Sequence, residues 1–216
     1  MKTVVLLGLG GLGCPAALAL FEEAPGLQLV LVDDDRVERS NLSRQILFRE
    51  RDIGRLKVEA ARERLGGLSR AVPERFTAET AQRLLAGADV LLDGTDNFAT
   101  RFLANDAACA QGIPLVHGAV LGWSGQLLTV LPGGPCLRCL FEEPPPPGAL
   151  PTCAEAGVAS ALCGVIGVAM ARAALAVLSG TPRPGLLRQL DGRSGRERLL
   201  QLRRDRACDA CGVRAS

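Results

Sequence analysis

Thr3–Leu7 is an almost wholly apolar run that breaks at Gly8 into a glycine-rich stretch ending at Gly13. A short apolar run bounded by turn residues predicts a strand buried on both faces. Pro15 stands where the first turn of a helix tolerates a missing N–H, and that helix is expected to reach about Glu23. Leu27–Val32 repeats the strand pattern and ends in Asp33-Asp34-Asp35; Arg36–Gly54 is polar, and Gly54–Leu65 reads as helical. Thr77 can cap a helix over Ala78–Ala86, Val90–Leu92 is a further buried strand, and Asp93–Asn97 follows at its carboxyl end. Phe98–Ala110 predicts a helix, Pro114–His117 a short strand, and Gln126–Leu131 a later strand leading into Cys136–Cys139. Glu142–Pro151 contains four consecutive prolines, which exclude helix and interior strand and predict an exposed crossover loop. Ala156–Ala171 predicts a buried helix, short of the ~20 residues that span a bilayer. Pro182–Pro184 breaks the chain before two strands, Leu186–Leu190 and Glu197–Leu202, around a turn at Asp191–Gly195.

Alternating strands and helices predict an α/β, Rossmann-like fold: a mostly parallel sheet with helices on both faces and a C-terminal antiparallel extension. One domain over residues 1–216 is expected. Its parts are a nucleotide-binding core (1–135), a cysteine knuckle with the Pro-rich crossover (136–155), and the buried helix, last strands and second knuckle (156–216). A net charge of +2 offers no polyanion-binding surface, so nucleic acid is not an expected partner, nor is a membrane. Met1–Leu7 lacks the features of an export signal, which predicts a cytoplasmic location. In a reducing compartment, eight cysteines point to metal or thiol chemistry rather than disulfides. With only two lysines, three asparagines and one histidine in the chain, each of these residues carries more information than usual.

Gly8-Leu9-Gly10-Gly11-Leu12-Gly13 fits G-x-G-x-x-G between a strand and a helix, where absent side chains let backbone N–H groups approach a phosphate. Asp33, at the end of the second strand, is placed to accept hydrogen bonds from ribose hydroxyls, with Asp35 beside it. These residues alone do not separate NAD from ATP. The polar loop Ser40-Asn41-Leu42-Ser43-Arg44-Gln45 and the early-helix Lys57 favour ATP, because expelling pyrophosphate needs positive charge where negative charge accumulates. Asp96, in Asp93-Gly94-Thr95-Asp96-Asn97, offers a hard oxygen ligand for Mg²⁺ shared with substrate phosphates, although Asp96 or Asn97 could instead simply cap the helix beginning near Phe98.

Cys136-x-x-Cys139 and Cys208-x-x-Cys211 are spaced to grip one tetrahedral Zn²⁺, a structural site that would staple the tail to the sheet. Cys14, Cys109 and Cys163 lie in apolar helical surroundings and are read as core. His117, at a strand end, is read as a satisfied structural histidine.

In family order, the glycine loop, Ser40–Gln45, Gly54-Arg55-Leu56-Lys57, Asp93–Asn97, the two Cys-x-x-Cys pairs and Thr152–Val158 resemble the ThiF/MoeB/HesA family, bacterial relatives of ubiquitin-activating enzymes. The resemblance implies ATP-dependent adenylation of the C-terminal glycine carboxylate of a ubiquitin-like sulfur carrier ending in Gly-Gly, with release of pyrophosphate. It also implies a homodimer and a sulfur-donor partner. It assigns catalytic roles to Arg44, Lys57, Asp96 and Cys153, the last as a sulfur-handling thiol just before a helix, where an inert small residue at a loop–helix junction is the other reading, and ATP contacts to Gly11, Asp33, Ser40 to Arg44, Lys57, Asp96 and Asn97. Two departures stand out: members typically carry an arginine in a helical segment before the glycine loop, where seven residues precede Gly8 here, and Gly122 occupies a position where arginine is expected. They keep open a second reading, an adenylation-incompetent carrier-binding homologue, and an NAD-dependent oxidoreductase remains the third.

Overall fold

The computed structural model describes residues 1–146 and 157–212. Five strands alternate with helices along the first half. They are β1 Thr3–Leu7, α1 Gly13–Glu23, β2 Gln28–Val32, α2 Lys57–Leu65, β3 Ser69–Val72, α3 Ala78–Leu85, β4 Val90–Asp93, α4 Phe98–Gln111 and β5 Leu115–Leu121. The second half adds β6 Ser124–Val130, α5 Ser160–Leu178, β7 Leu186–Asp191 and β8 Glu197–Gln201. All eight strands join one sheet in the order β3-β2-β1-β4-β5-β6-β7-β8. Pairings are parallel from β3 through β5 and antiparallel from β5 to β8. This is the α/β arrangement expected from the sequence, with the antiparallel strands gathered at one end.

Period-two alternation divides the sheet between two cores. Val4 and Leu6 of β1 face one layer, packed with Leu20 of α1, Val58 of α2 and Met170 of α5. Val5 and Leu7 face the other, with Leu84 and Leu85 of α3 and Phe102 and Ala108 of α4. Helix α5 lies close against α1 because Gly167 has no side chain: a Cβ there would stand 2.5 Å from the Leu12 carbonyl oxygen.

Several boundaries differ from expectation. Strand β3 carries no hydrophobic signal of its own, because Ser-Arg-Ala-Val has only Val72 fully buried at the sheet edge. Helix α2 starts at Lys57 and not at Gly54, since Gly54 has a positive φ and Leu56 is extended. Helix α5 starts four residues later than read, because residues at its entry are drawn into extended pairing, with Val158 bridged to Gly122. It then runs beyond Ala171, and Arg172 reaches outward to Glu23 at 3.4 Å. Its 19 residues are long and apolar enough to cross a bilayer, contrary to the length argument above, but its inner face is buried against α1 and the sheet. The outer face, including Val165, is exposed, so the helix is buried on one side only.

Candidate nucleotide site and cysteine cluster

Strand β1 pairs with β2 on one side and β4 on the other, so the chain leaves neighbouring strands toward opposite sides and opens a crevice at their carboxyl ends. The glycine loop forms its floor. Gly8 adopts φ +81°, a conformation that disfavours side chains, and its N–H donates to the Val32 carbonyl at 2.9 Å. Gly13 is fixed by contact: a Cβ would lie 1.8 Å from the Gly8 oxygen, inside the turn itself. Gly10 differs, since a Cβ there would meet nothing within 4 Å and would project into open space. The cavity above has a volume of about 470 Å³ and is mainly polar in its lining residues.

Asp33 closes one wall. Its carboxylate accepts the Leu9 N–H at 2.6 Å and the Asp35 N–H at 2.8 Å, which ties the glycine loop to the end of β2. Burial pushes its pKa up, against the opposing pull of Lys57. Lys57, the first residue of α2, donates to Asp35 at 2.7 Å and lies 4.0 Å from Asp33. Burial alone would lower its pKa, but the two carboxylates outweigh it and raise it, so the ammonium persists in a buried place. Arg44 donates to Asn41 at 2.6 Å and to the Ser40 carbonyl at 3.3 Å, and its Cδ lies beside Gly11. Gln45 is buried, and its Oε1 has no hydrogen-bond partner among the described residues. A buried acceptor of this kind in a polar cavity suits a ligand or ordered water that brings a donor.

The opposite wall is the turn after β4. Asn97 caps α4 by accepting the Thr100 N–H at 2.9 Å, and it also lines the cavity. Asp96, exposed beside it, is not used by the cap. His117 is satisfied, as read: Nδ1 lies 2.8 Å from the buried Asp93 carboxylate.

The cavity brings together Gly8, Gly10, Gly11, Asp33, Asp35, Asn41, Arg44, Gln45, Lys57, Asp96 and Asn97. Four sequence candidates lie outside its lining. Gly13 sits beneath the loop, Ser40 turns to Glu38, Leu42 packs on the core, and Ser43 is exposed. The short 3₁₀ turn Arg39–Asn41 explains this, since it fans successive side chains in different directions and only some face the crevice. Sequence reasoning missed Glu74, Arg75 and Phe76 after β3, Thr95 and Arg101 around the start of α4, and Cys163 of α5. Only the first group had a readable signal: strand ends in an alternating fold point at the crevice, had β3 been recognised.

On the far side, the thiols of Cys136, Cys139, Cys208 and Cys211 lie within 4.8 Å of one another. Cys136 and Cys208 are 3.7 Å apart, and Cys139 and Cys211 3.4 Å. A tetrahedral zinc with bonds of about 2.3 Å needs sulfurs about 3.8 Å apart, so the donor set fits such an ion. Cys109, expected in the core, is half-buried and packs against it as a neighbour of Cys136. Contact with Cys109 lowers the Cys136 pKa, and the same contact raises that of Cys109. Cys14 is core, pushed up to about 12 by burial, whereas buried Cys163 meets the cavity beside Gly11. Cys153 lies outside the described residues.

The ThiF family model matches residues 1–212. The chain is 44% identical over 223 residues to the sulfur carrier protein adenylyltransferase of Thermus thermophilus, covering 97% of this chain and 82% of that one. It is 43% identical over 217 residues to the sulfur carrier protein ThiS adenylyltransferase of Escherichia coli, covering 97% and 85%. In fold it is similar to E. coli MccB, crystallised with MccA-N7isoASN, at a TM-score of 0.85 and 19% identity over 98% of this chain and 67% of that one.

Proposed function

Since the chain belongs to the ThiF family, we propose that it is an adenylyltransferase that activates the C-terminal glycine carboxylate of a ubiquitin-like sulfur carrier with ATP. The observation that carries this reading is the crevice itself, which has an open-faced glycine loop, the Asp33 carboxylate, two buried or half-buried cations and the Asp96 carboxylate around one polar cavity. Hydride transfer expels no pyrophosphate, so it calls less for cations where leaving-group charge would build up.

The carrier carboxylate is ionised at neutral pH, so no general base is needed for it to attack the α-phosphorus. The bond to the pyrophosphate oxygen then breaks, and pyrophosphate leaves with the bonding electrons. Gly10 leaves room for the phosphates to approach backbone N–H groups of the loop. Asp33 serves the ribose hydroxyls with the lone pairs that its two backbone contacts leave unused. Arg44 and Lys57 offset the charge that builds on the leaving group. Lys57 is held by Asp33 and Asp35 before any nucleotide arrives, so its position needs no reorganisation. Asp96 is the residue to hold Mg²⁺, which when bound neutralises and orients the phosphates.

On the other side, Cys136, Cys139, Cys208 and Cys211 would hold Zn²⁺ in a structural role, joining the tail after β8 to the segment after β6. Cys153 keeps its role as the sulfur-handling thiol in this proposal, acting with a sulfur-donor protein after adenylation. The exposed outer face of α5, around Val165, is where we place the contact of a homodimer.

ATP–pyrophosphate exchange tests the reading. Exchange should require Mg²⁺ and a carrier ending in Gly-Gly, and Asp96→Ala should abolish it. Nucleotide binding without exchange across a panel of such carriers would instead favour a carrier-binding homologue that does not adenylate.

A further inference from the structure

Below the cavity lie buried polar groups to which the proposed chemistry gives no task. Asp93 is 0% exposed at the end of β4, and His117 is beside it in register on β5, 3% exposed. The Asp93 carboxylate accepts three contacts: from His117 Nδ1 at 2.8 Å, from the Thr95 N–H at 3.0 Å and from the Thr95 hydroxyl at 2.6 Å. Thr95 is also held from its other end, because Arg101 donates to its carbonyl through Nε at 3.1 Å and through a terminal nitrogen at 3.0 Å. Asn97 is pinned by its capping bond. Asp96 lies between these two fixed residues.

The turn is confined on its other side as well. Gly94 donates to the Leu7 carbonyl at 3.0 Å, and a Cβ at Gly94 would lie 3.2 Å from the Gly13 nitrogen. With the glycine loop on one face and the buried network on the other, the backbone on both sides of Asp96 is held. Burying a carboxylate and a guanidinium to fix one threonine is expensive unless every bond is made.

We infer that Asp93 and His117 are positioning residues, holding the Gly94–Asn97 turn through Thr95 so that the Asp96 carboxylate meets the nucleotide-bound metal ion. This rests on the proposed role of Asp96 as the Mg²⁺-binding carboxylate. Burial alone would raise the Asp93 pKa, yet His117, Thr95 and Arg101 together hold it below the usual carboxylate range. An ionised carboxylate offers only lone pairs, so Nδ1 is the donor in the His117 contact. The side chain that can replace it is therefore one with an N–H close to the Nδ1 position. Asparagine meets that condition, whereas leucine keeps bulk without a donor and glutamine carries its amide further out.

Calorimetric ATP binding by the full chain, with Mg²⁺ and again with EDTA, reads this without turnover. The ratio of the two affinities reports the metal contact. His117→Leu should lower the ratio by roughly 10- to 100-fold, the loss typical when a residue supporting a metal ligand is removed. Affinity in EDTA should stay close to wild type, and His117→Asn should recover most of the ratio. Asp96→Ala should lower it at least as far, with no further loss in the double variant. If His117→Leu does not fold, His117→Asn against His117→Gln decides, with the ratio kept in the first and lost in the second. Equal ratios in those two variants, or equal loss of affinity with Mg²⁺ and with EDTA, would overturn the inference while a loss in Asp96→Ala left the role of Asp96 standing. An unchanged ratio in Asp96→Ala would overturn the role of Asp96 itself and the inference with it.

Discussion

Removing one thiol from the cysteine cluster gives a stability change whose size can be worked out. The contact from Cys136 to Cys208 spans 72 residues of sequence, and that from Cys139 to Cys211 spans 72 more or less the same residues. Closing one loop of that length restricts the unfolded chain by about 4 kcal/mol on a chain-entropy argument, and the second closure, nearly coincident with the first, adds little. At ~2–4 °C per kcal/mol for a chain of this size, loss of the metal should lower Tm by roughly 8–16 °C. Cys208→Ala leaves three ligands, so zinc should be lost on dialysis and Tm should fall by this amount. Chelation of the wild-type protein should reproduce the shift. Cys109→Ala is the informative control: Cys109 neighbours Cys136 but is not one of the four clustered thiols, so this variant should retain one zinc per chain. Thermal unfolding followed by circular dichroism, with released zinc measured by a chromogenic chelator, reads both quantities. A wild-type protein that binds no zinc, or whose Tm is the same loaded and stripped, would refute the reasoning. Loss of zinc from Cys109→Ala as complete as from Cys208→Ala would refute the four-ligand assignment.

Three further outcomes follow from the nucleotide side. Gly10→Val should abolish ATP binding in calorimetry with little change in Tm, because its side chain enters open cavity, whereas Gly13→Ala should unfold the loop and lower Tm by several degrees, because its Cβ meets the Gly8 oxygen. The reverse pattern would contradict the packing described. Lys57 has a folded pKa raised above 10.5, so the stability it contributes is complete below that value and is lost as pH rises through the folded pKa. The wild-type advantage over Lys57→Met in denaturant unfolding should thus be constant from neutral pH to about pH 10 and shrink above it; a difference that grew with pH would contradict the sign.

Much of this site was legible because its signals are local. The glycine loop and Asp33 stand within one strand–turn–helix–strand unit, so spacing alone locates them at a common crevice. The paired Cys-x-x-Cys motifs are similar, since a two-residue gap dictates the knuckle and only the meeting of the two knuckles needed the fold. What stayed hidden depends on tertiary placement. Arg101 looks like any charged residue in the first turns of a helix until α4 is laid against the end of β4, where it turns inward to the Thr95 carbonyl. His117 and Asp93 become partners only through the β4–β5 register. Cys109 reads as an apolar helix residue until the segment after β6 brings Cys136 onto α4. The β3 edge strand failed for a different reason: with only one of its four residues fully buried, it gives no hydrophobic signal, and pairing with β2 alone makes it a strand.

The measurement that tests the central claim most directly is the intact mass of a Gly-Gly carrier incubated with the protein, ATP and Mg²⁺, with pyrophosphate removed enzymatically to hold the product. The account predicts a carrier heavier by one AMP unit, absent with Asp96→Ala and with a carrier lacking its final glycine, and reverting to the original mass as the acyl-adenylate hydrolyses. An unmodified carrier in the presence of bound Mg-ATP, or cleavage of ATP to ADP and phosphate in its place, would contradict it.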